Sequence, residues 1–80
     1  MKLEIITPEK RLFDGQIKLV QVPGAKGSFE VLKNHAPIIS TLTKGTIKVI
    51  TDQDKKEFIE IKSGIIEVKA NMITILAVTT

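Results

Sequence analysis

Apolar and polar residues alternate with a period of two along most of the chain. In residues 2–5, Leu3 and Ile5 fall on one side of the backbone and the charged residues on the other. Successive side chains of a β-strand point to opposite faces, so this pattern predicts a strand with one buried face. Residues 16–22 alternate as well, but their apolar positions change phase after Leu19. A slip of one residue predicts a β-bulge, or a strand that passes from one sheet to another.

A β-hairpin is predicted in the middle of the chain. Residues 46–51 and 57–62 alternate in the same way and flank residues 52–55, whose aspartates favour a turn by bonding their own backbone. The adjacent lysines Lys55 and Lys56 are surrounded by acids. We therefore interpret them as part of a solvated turn and not as a patch that binds polyanions.

The last two predicted strands differ in pattern. Residues 65–69 alternate, and a turn at Ala70 and Asn71 leads into residues 72–78. This final segment is apolar on both faces apart from Thr74, so we predict that it is a central strand and not an edge strand.

The spacing of these segments indicates an all-β protein. No window shows the 3.6-residue apolar stripe of a helix, and Ile, Val and Thr supply 27 of the 80 residues. These β-branched side chains suit a pleated, half-buried surface. Short strands between turn residues predict one domain over residues 1–80, an antiparallel β-sandwich or flattened barrel of two packed sheets with about ten short strands.

Composition excludes several classes of protein. The chain has no cysteine and so is not a disulfide scaffold, and with His35 as the only histidine a zinc site is close to excluded. Residues 1–8 have no long apolar stretch and contain Glu4, which argues against a secretory signal or a transit peptide. No apolar run approaches the roughly 20 residues of a membrane-spanning helix. We expect a domain that stays in the cytoplasm unless a partner holds it at a membrane.

No pattern in the sequence predicts catalysis. The chain lacks a cysteine nucleophile, a Gly-x-Ser-x-Gly elbow and a phosphate-binding loop. Residues 24–27 contain two glycines and a lysine, but no helical pattern follows, so we interpret them as a tight turn. We predict no catalytic, cofactor-binding or metal-binding residue. His35 lies in a constrained connection between Asn34 and the pair Ala36-Pro37, and such loops on a rigid sheet tend to make contacts.

The net charge of +3 leaves a second function open. Small basic β-barrels bind single strands by stacking bases on aromatic side chains above a groove of Arg and Lys. This chain has three phenylalanines, no tyrosine or tryptophan, and a single arginine, Arg11. Binding of nucleic acid or another polyanion is therefore the alternative function, and the composition does not favour it.

Residues 23–37 carry a resemblance to a known family. They read Pro-Gly-Ala-Lys-Gly-Ser-Phe-Glu-Val-Leu-Lys-Asn-His-Ala-Pro and contain every specified position of the pattern Pro-Gly-x-x-Gly-x-Phe-x-Val-Leu-x-x-His-Ala-Pro. That pattern resembles the epsilon subunit of rotary proton-translocating ATP synthases, which is called delta in mitochondria. Further matches flank it at Thr7-Pro8, Leu12-Phe13-x-Gly15, Lys44-Gly45, Gly64-x-x-Glu67-Val68 and Leu76-Ala77.

The resemblance implies a β-sandwich of two five-stranded sheets that binds the foot of the gamma shaft and rests on the polar loops of the c-subunit ring. It implies a non-catalytic subunit without a cofactor, which locks shaft to ring so that proton-driven rotation reaches the catalytic hexamer. Because the N-terminus lacks a transit segment, we expect a bacterial protein at the cytoplasmic face of the inner membrane, peripheral and held there by the complex.

Several positions depart from the family pattern. Asn34 stands where glycine is usual and Lys33 where proline is common, while Lys26 occupies a position that is often acidic and Glu30 one that is often glycine. Many bacterial members also continue into two C-terminal helices that inhibit ATP hydrolysis. Since the sequence stops at Thr80, we expect this inhibitory arm to be absent.

Two sets of contact residues follow from the resemblance. For the c ring the resemblance points to the turn at the start of the signature and to the histidine loop at its end: Gly27, Ser28, His35, Ala36 and Pro37, with Ser28 and His35 as the best candidates. For the gamma shaft it points to apolar residues that flank or lie within the signature: Leu12, Phe13, Phe29 and Leu42. Ordinary core packing is the alternative interpretation for Phe29 and Leu42.

Overall fold

The computed structural model describes residues 1–79, which form eight β-strands and no helix. In chain order the strands are β1 (Lys2–Ile6), β2 (Arg11–Gly24), β3 (Gly27–Leu32), β4 (Ile38–Leu42), β5 (Gly45–Thr51), β6 (Lys56–Ile61), β7 (Ser63–Lys69) and β8 (Met72–Val78). The segments predicted from alternation all fall within these strands apart from Lys62, whereas β3 and β4 lie outside them. Within residues 1–79 there is no helix with the length and hydropathy that crossing a membrane requires.

Strand β2 belongs to two sheets. Its first half pairs with β1 as far as Gln16, and β8, β7 and β4 follow in that order to complete sheet I. Its second half starts at Ile17 and pairs with β3 and β5, and β6 lies beyond β5 to complete sheet II. A single residue pair, Gly24 with Leu42, connects β2 with β4. The two sheets are therefore parts of one continuous sheet that folds over on itself. The predicted sandwich of two packed sheets is confirmed.

The phase slip in β2 marks the crossing between the sheets. Ile17 lies opposite Thr51 and Leu19 lies opposite Ile50, which leaves Lys18 as the extra residue of a β-bulge. A bulge bends and twists its strand, and β2 leaves sheet I at this point. Both predicted explanations of the slip, the bulge and the passage between sheets, therefore hold at the same residue. The Lys18 ammonium lies 2.7 Å from Asp54, whose hydrogen bond and charge raise the pKa of Lys18.

Strand β8 lies between β1 and β7, as predicted for a central strand. Its pairing with β1 is parallel, whereas every other strand pair among the described residues is antiparallel. The sequence predicted antiparallel pairing throughout, and the structure corrects this for β1 and β8. These strands come from opposite ends of the chain, so no hairpin fixes their relative direction. Residues 1–79 form eight strands instead of about ten, and because β2 serves both sheets, sheet I has the expected five strands and sheet II has four.

Isoleucine and valine from both sheets fill the space between them. On β8, Ile75 lies opposite Ile66 on one side and Ile5 on the other, and all three side chains are fully buried. The inward residues of β2 and β5 face them from sheet II, with Val20 and Val49 equally buried. Interdigitating β-branched side chains therefore form one core, in which no aromatic residue is fully buried.

The hairpin between β7 and β8 turns through two residues, as predicted. Ala70 and Asn71 both have positive φ, 45° and 65°, which is the conformation of a type I′ turn. Asparagine tolerates this region, whereas alanine is strained in it. The turn is thus held by the pairing of the strands on either side more than by the preference of Ala70.

Candidate functional site

Residues 1–79 contain no group of three or more His, Cys, Asp or Glu side chains placed to hold a metal ion. The side chains predicted to contact the ring lie in and beside two turns, whereas those predicted to contact the shaft lie in the core or pack against it. The candidate site is accordingly a set of contact surfaces, and its geometry begins with those two turns.

The turn between β2 and β3 is fixed by a hydrogen bond to β4 and by close packing of its own backbone. The N–H of Ala25 donates to the carbonyl of Thr41 over 3.0 Å, which ties the turn to β4. Gly24 has no room for a side chain, since an added Cβ would lie 2.6 Å from the carbonyl oxygen of Gly27. Gly27 itself has a φ of 128°, which favours glycine. The predicted tight turn is confirmed. Glycine is required at position 24 by lack of space and at position 27 by the backbone conformation.

Ser28 projects from this turn into solvent. Its hydroxyl accepts a hydrogen bond from Nε2 of Gln21 over 3.2 Å, and both residues lie on the outer face of sheet II. Beside it is an open groove of about 520 Å³ between the turn and β4, lined in part by Lys26 and Ser40. The exposed hydroxyl and the groove are available to a partner.

The loop between β3 and β4 is constrained by its own hydrogen bonds. Asn34 adopts a φ of 68°, and the N–H of His35 donates to the carbonyl of Leu32 over 3.1 Å. Nδ1 of His35 lies 2.7 Å from the carbonyl oxygen of Ala36, which is hydrogen-bond distance. His35 is half-buried, whereas Ala36 and Pro37 are exposed. The loop therefore presents Ala36, Pro37 and part of the imidazole.

The structure does not bring the two predicted ring-contact groups together. Gly27 and Ser28 begin β3, whereas His35 follows its other end at Leu32. A strand rises about 3.4 Å per residue, which places the two ends of β3 roughly 17 Å apart. Among residues 1–79, β3 pairs only with β2, so both of its ends lie along one edge of sheet II.

The residues predicted to face the shaft are divided between the core and both sheets. Leu42 is only 1% exposed and belongs to the core, so its assignment to a partner surface is corrected to the core-packing alternative. Leu12, Phe13 and Phe29 are half-buried and pack against the core. Phe13 lies opposite Ile5 in sheet I, whereas Phe29 lies in sheet II. These four residues do not form one surface.

A larger apolar surface lies on the outer side of sheet I. Leu76 lies between Ile65 and Ile6 in the same row across β7, β8 and β1. We call this surface the apolar face, and it comprises Ile6, Ile39, Ile65, Leu76 and Val78. All except the half-buried Ile6 are exposed, and Ile39 reaches 73%. Two shallow grooves of about 310 and 160 Å³ cross it.

The sequence carries a signal of the apolar face in the pattern of β8. Apolar residues on both faces of β8 predicted a central strand, which is correct within the sheet. The outer side of β8 is nevertheless uncovered, with Leu76 54% exposed. A contiguous exposed apolar patch on a small domain indicates an interaction surface.

Acidic residues border the apolar face on the side of Ile39. One row across β4, β7, β8 and β1 contains Ile39, Glu67, Thr74 and Glu4 in that order. Arg11 bridges Glu4 and Asp14 at 3.2 and 3.4 Å. The face thus has an acidic margin that is partly neutralised by arginine.

Comparisons with known proteins agree with this architecture. A family model described as the β-sandwich domain of the ATP synthase Delta/Epsilon chain matches residues 1–80. A chain in the cryo-EM structure of the Euglena gracilis mitochondrial ATP synthase (OSCP/F1/c-ring) has a TM-score of 0.86 and 19% identity, covering 95% of this chain and 49% of that chain. A chain in the cryo-EM structure of the Tetrahymena thermophila mitochondrial ATP synthase (central stalk/c-ring) has a TM-score of 0.80 and 19% identity, covering 98% of this chain and 63% of that chain.

The two structural neighbours share the fold of this chain over nearly all of its residues. At 19% identity they show the fold alone, and the chain spans only 49% and 63% of their lengths. The family match rests on the sequence itself and extends over the whole chain.

Proposed function

Because the chain belongs to the family of ATP synthase Delta/Epsilon β-sandwich domains, we propose that it acts as a non-catalytic subunit of the central stalk. In this role it couples rotation of the c-subunit ring to the gamma shaft and hence to ATP synthesis. The family match over residues 1–80 carries the proposal. It is supported by the two structural neighbours, whose complexes contain a c-ring. A rigid sandwich with an exposed apolar face suits a part that transmits torque.

The apolar face is the proposed contact with the gamma shaft. Leu12, Phe13 and Phe29 are half-buried against the core, whereas Ile65 and Leu76 offer contiguous exposed apolar area. Burying such area is the main favourable term in most protein associations. The face also lies on paired strands at the centre of sheet I, so the shaft would bind a surface that does not deform.

Replacing the apolar face with polar side chains should weaken binding of the shaft. We expect tagged wild-type protein to co-purify with the gamma subunit, and the double variant Ile65→Ser, Leu76→Ser to bind about tenfold more weakly or worse. The matched control is Phe58→Ser, which removes an exposed apolar side chain from sheet II instead. Equal losses in both variants would contradict the assignment of the face, and failure of wild-type protein to bind gamma would contradict the proposed function.

The proposed contacts with the c ring lie along the edge of sheet II formed by β3. Ser28 with Gly27 lies at one end of this edge, and His35 with Ala36 and Pro37 lies beyond the other. A ring loop that runs along β3 would reach both groups. A ring that meets the sandwich end-on would reach one of them, and the exposed hydroxyl of Ser28 makes its end the better candidate.

Cysteine crosslinking in assembled membranes tests the ring contact. The chain has no native cysteine, so Ser28→Cys and His35→Cys each introduce a unique thiol. We expect Ser28→Cys to crosslink to a cysteine in the polar loop of the c subunit, and His35→Cys to do so if the ring runs along β3. The control is Lys56→Cys on the opposite edge of sheet II, which should not react. Absence of a crosslink at both sites would remove the contact assignment while leaving the fold intact.

The same proposal gives the protein a place in the cell. A central-stalk subunit is peripheral to the membrane and is held there by the complex, and we propose the cytoplasmic face of a bacterial inner membrane. The alternative, binding of a polyanion, is less well supported because several cations are already paired with acids on the surface, including Lys2, Arg11 and Lys18.

A further inference from the structure

Strand β6 forms the edge of sheet II opposite to β3. It pairs with β5 on one side, and no strand among residues 1–79 pairs with its other side. An edge strand presents a row of unpaired backbone N–H and C=O groups, which can accept a strand from another chain. The six residues of β6 therefore offer a template for pairing.

The outer face of β6 carries an ordered row of side chains. Ile59 and Ile61 turn inward, half-buried and buried respectively, so Lys56, Phe58 and Glu60 share the outer face. Phe58 is 62% exposed, although it is among the largest apolar side chains of the domain. The carboxylate of Glu60 is positioned by Thr46, whose hydroxyl donates to Oε2 over 2.7 Å. A cation, an aromatic ring and an anion thus follow one another at regular spacing.

We propose that β6 pairs antiparallel with β6 of a second copy of this chain, with Phe58 opposite Phe58. Directly opposed residues of an antiparallel pair lie on the same face and in contact. In this register Lys56 lies opposite Glu60 of the second copy, and the two-fold axis creates the same pair a second time. Two ion pairs flank one aromatic pair, so the strand is complementary to itself.

Neighbouring registers lack this complementarity. Sliding one strand along the other so that the pairing shifts by two residues places Phe58 opposite Glu60. The same shift brings Lys56 opposite Lys62 of the second copy. The opposite shift places Lys56 opposite Phe58 and leaves Glu60 without a cation. Like charges directly opposite one another destabilise a pair, so the charge pattern selects the register centred on Phe58.

The contact is small, and its strength should reflect that. Two paired six-residue strands bury a surface area at or below the low end of the range for specific interfaces. The dimer should therefore be weak and dependent on concentration. Exposed ion pairs are screened by salt, so the dimer should also weaken as ionic strength rises. The inference concerns the free chain and does not rest on the proposed function.

Sedimentation equilibrium of the isolated chain measures the dimer, and variants that reverse the charge of Lys56 or Glu60 test the proposed register. We expect wild-type protein to shift from monomer to dimer over a roughly hundredfold rise in concentration. Because the two-fold axis doubles each change, Glu60→Lys or Lys56→Glu should each raise the dissociation constant about tenfold. The double variant Lys56→Glu, Glu60→Lys restores both ion pairs and should dimerise like wild-type protein. Phe58→Ser should leave a monomer.

Controls separate this edge from other surfaces. Ile39→Ser removes an even more exposed apolar side chain from the apolar face and should leave the dimer unchanged. A wild-type chain that stays monomeric throughout would overturn the proposal. So would a double variant that remains as weak as the single ones, or a dimer that Ile39→Ser abolishes and Phe58→Ser does not. Since no gamma or c subunit is present, none of these outcomes bears on the proposed function.

Discussion

Replacing Ile75 with alanine should lower the free energy of unfolding by about 2–5 kcal/mol, the range for truncating a buried isoleucine. Ile75 is fully buried at the centre of sheet I, opposite Ile66 and Ile5, so the lost methyl groups leave a cavity between the sheets. A domain of 80 residues has a total stability of about 4–12 kcal/mol. The substitution should therefore remove a large share of it, and urea denaturation measures the change.

Leu76→Ala is the matched control for this substitution. Leu76 is the next residue of β8, carries the same number of side-chain carbons and is 54% exposed on the outer face. Removing it should change stability by about 0.5 kcal/mol or less in the isolated chain. Similar losses in the two variants would contradict the placement of the core between the sheets.

Replacing Gly64 with alanine should destabilise the domain by about 1–3 kcal/mol, the usual cost of forcing extra atoms into a packed structure. An added Cβ at Gly64 would lie 2.7 Å from the carbonyl oxygen of Leu76, which is backbone of the neighbouring strand and cannot move aside. The pairing of β7 with β8 must therefore open locally. Thermal unfolding followed by circular dichroism measures the loss.

Gly15→Ala provides the contrast within the same sheet. An added Cβ at Gly15 would lie 3.6 Å from the ring of Phe13, an ordinary contact, and φ at this residue is not positive. Alanine there should be neutral or slightly stabilising, because it restricts the unfolded chain. Equal stability of the two alanine variants would contradict the claim that Gly64 must be glycine because β8 approaches it closely.

Much of the fold could be predicted from alternation, because a strand imposes its period on the residues that it buries. The hairpin at residues 52–55, the turn at Ala70 and Asn71, and the central position of β8 all follow from local pattern. The phase slip predicted after Leu19 lies one residue from the bulge at Lys18, where β2 crosses between the sheets. The parallel pairing of β1 and β8 could not be predicted in this way, since no local pattern records the direction of a distant strand.

The contact surfaces were predicted less well, because exposure depends on what the rest of the chain covers. Leu42 resembles an available apolar residue in the sequence, but its side chain is buried in the core between the sheets. Leu76 resembles a core residue, yet no element covers its face among residues 1–79. Ser28 and His35 are seven residues apart in the sequence and at opposite ends of β3 in space.

The amino-acid sequence was enough to establish the all-β class, the alternating strands, most of the turns and, through residues 23–37, the family. These features depend on neighbours in the chain, whose preferences and period-two spacing act locally. The three-dimensional fold was needed to show which apolar residues form the core, which form the apolar face, and that β6 is an open edge among residues 1–79. Those outcomes depend on the order in which strands pair across the fold, and the free energy of burial is shared among residues far apart in the sequence.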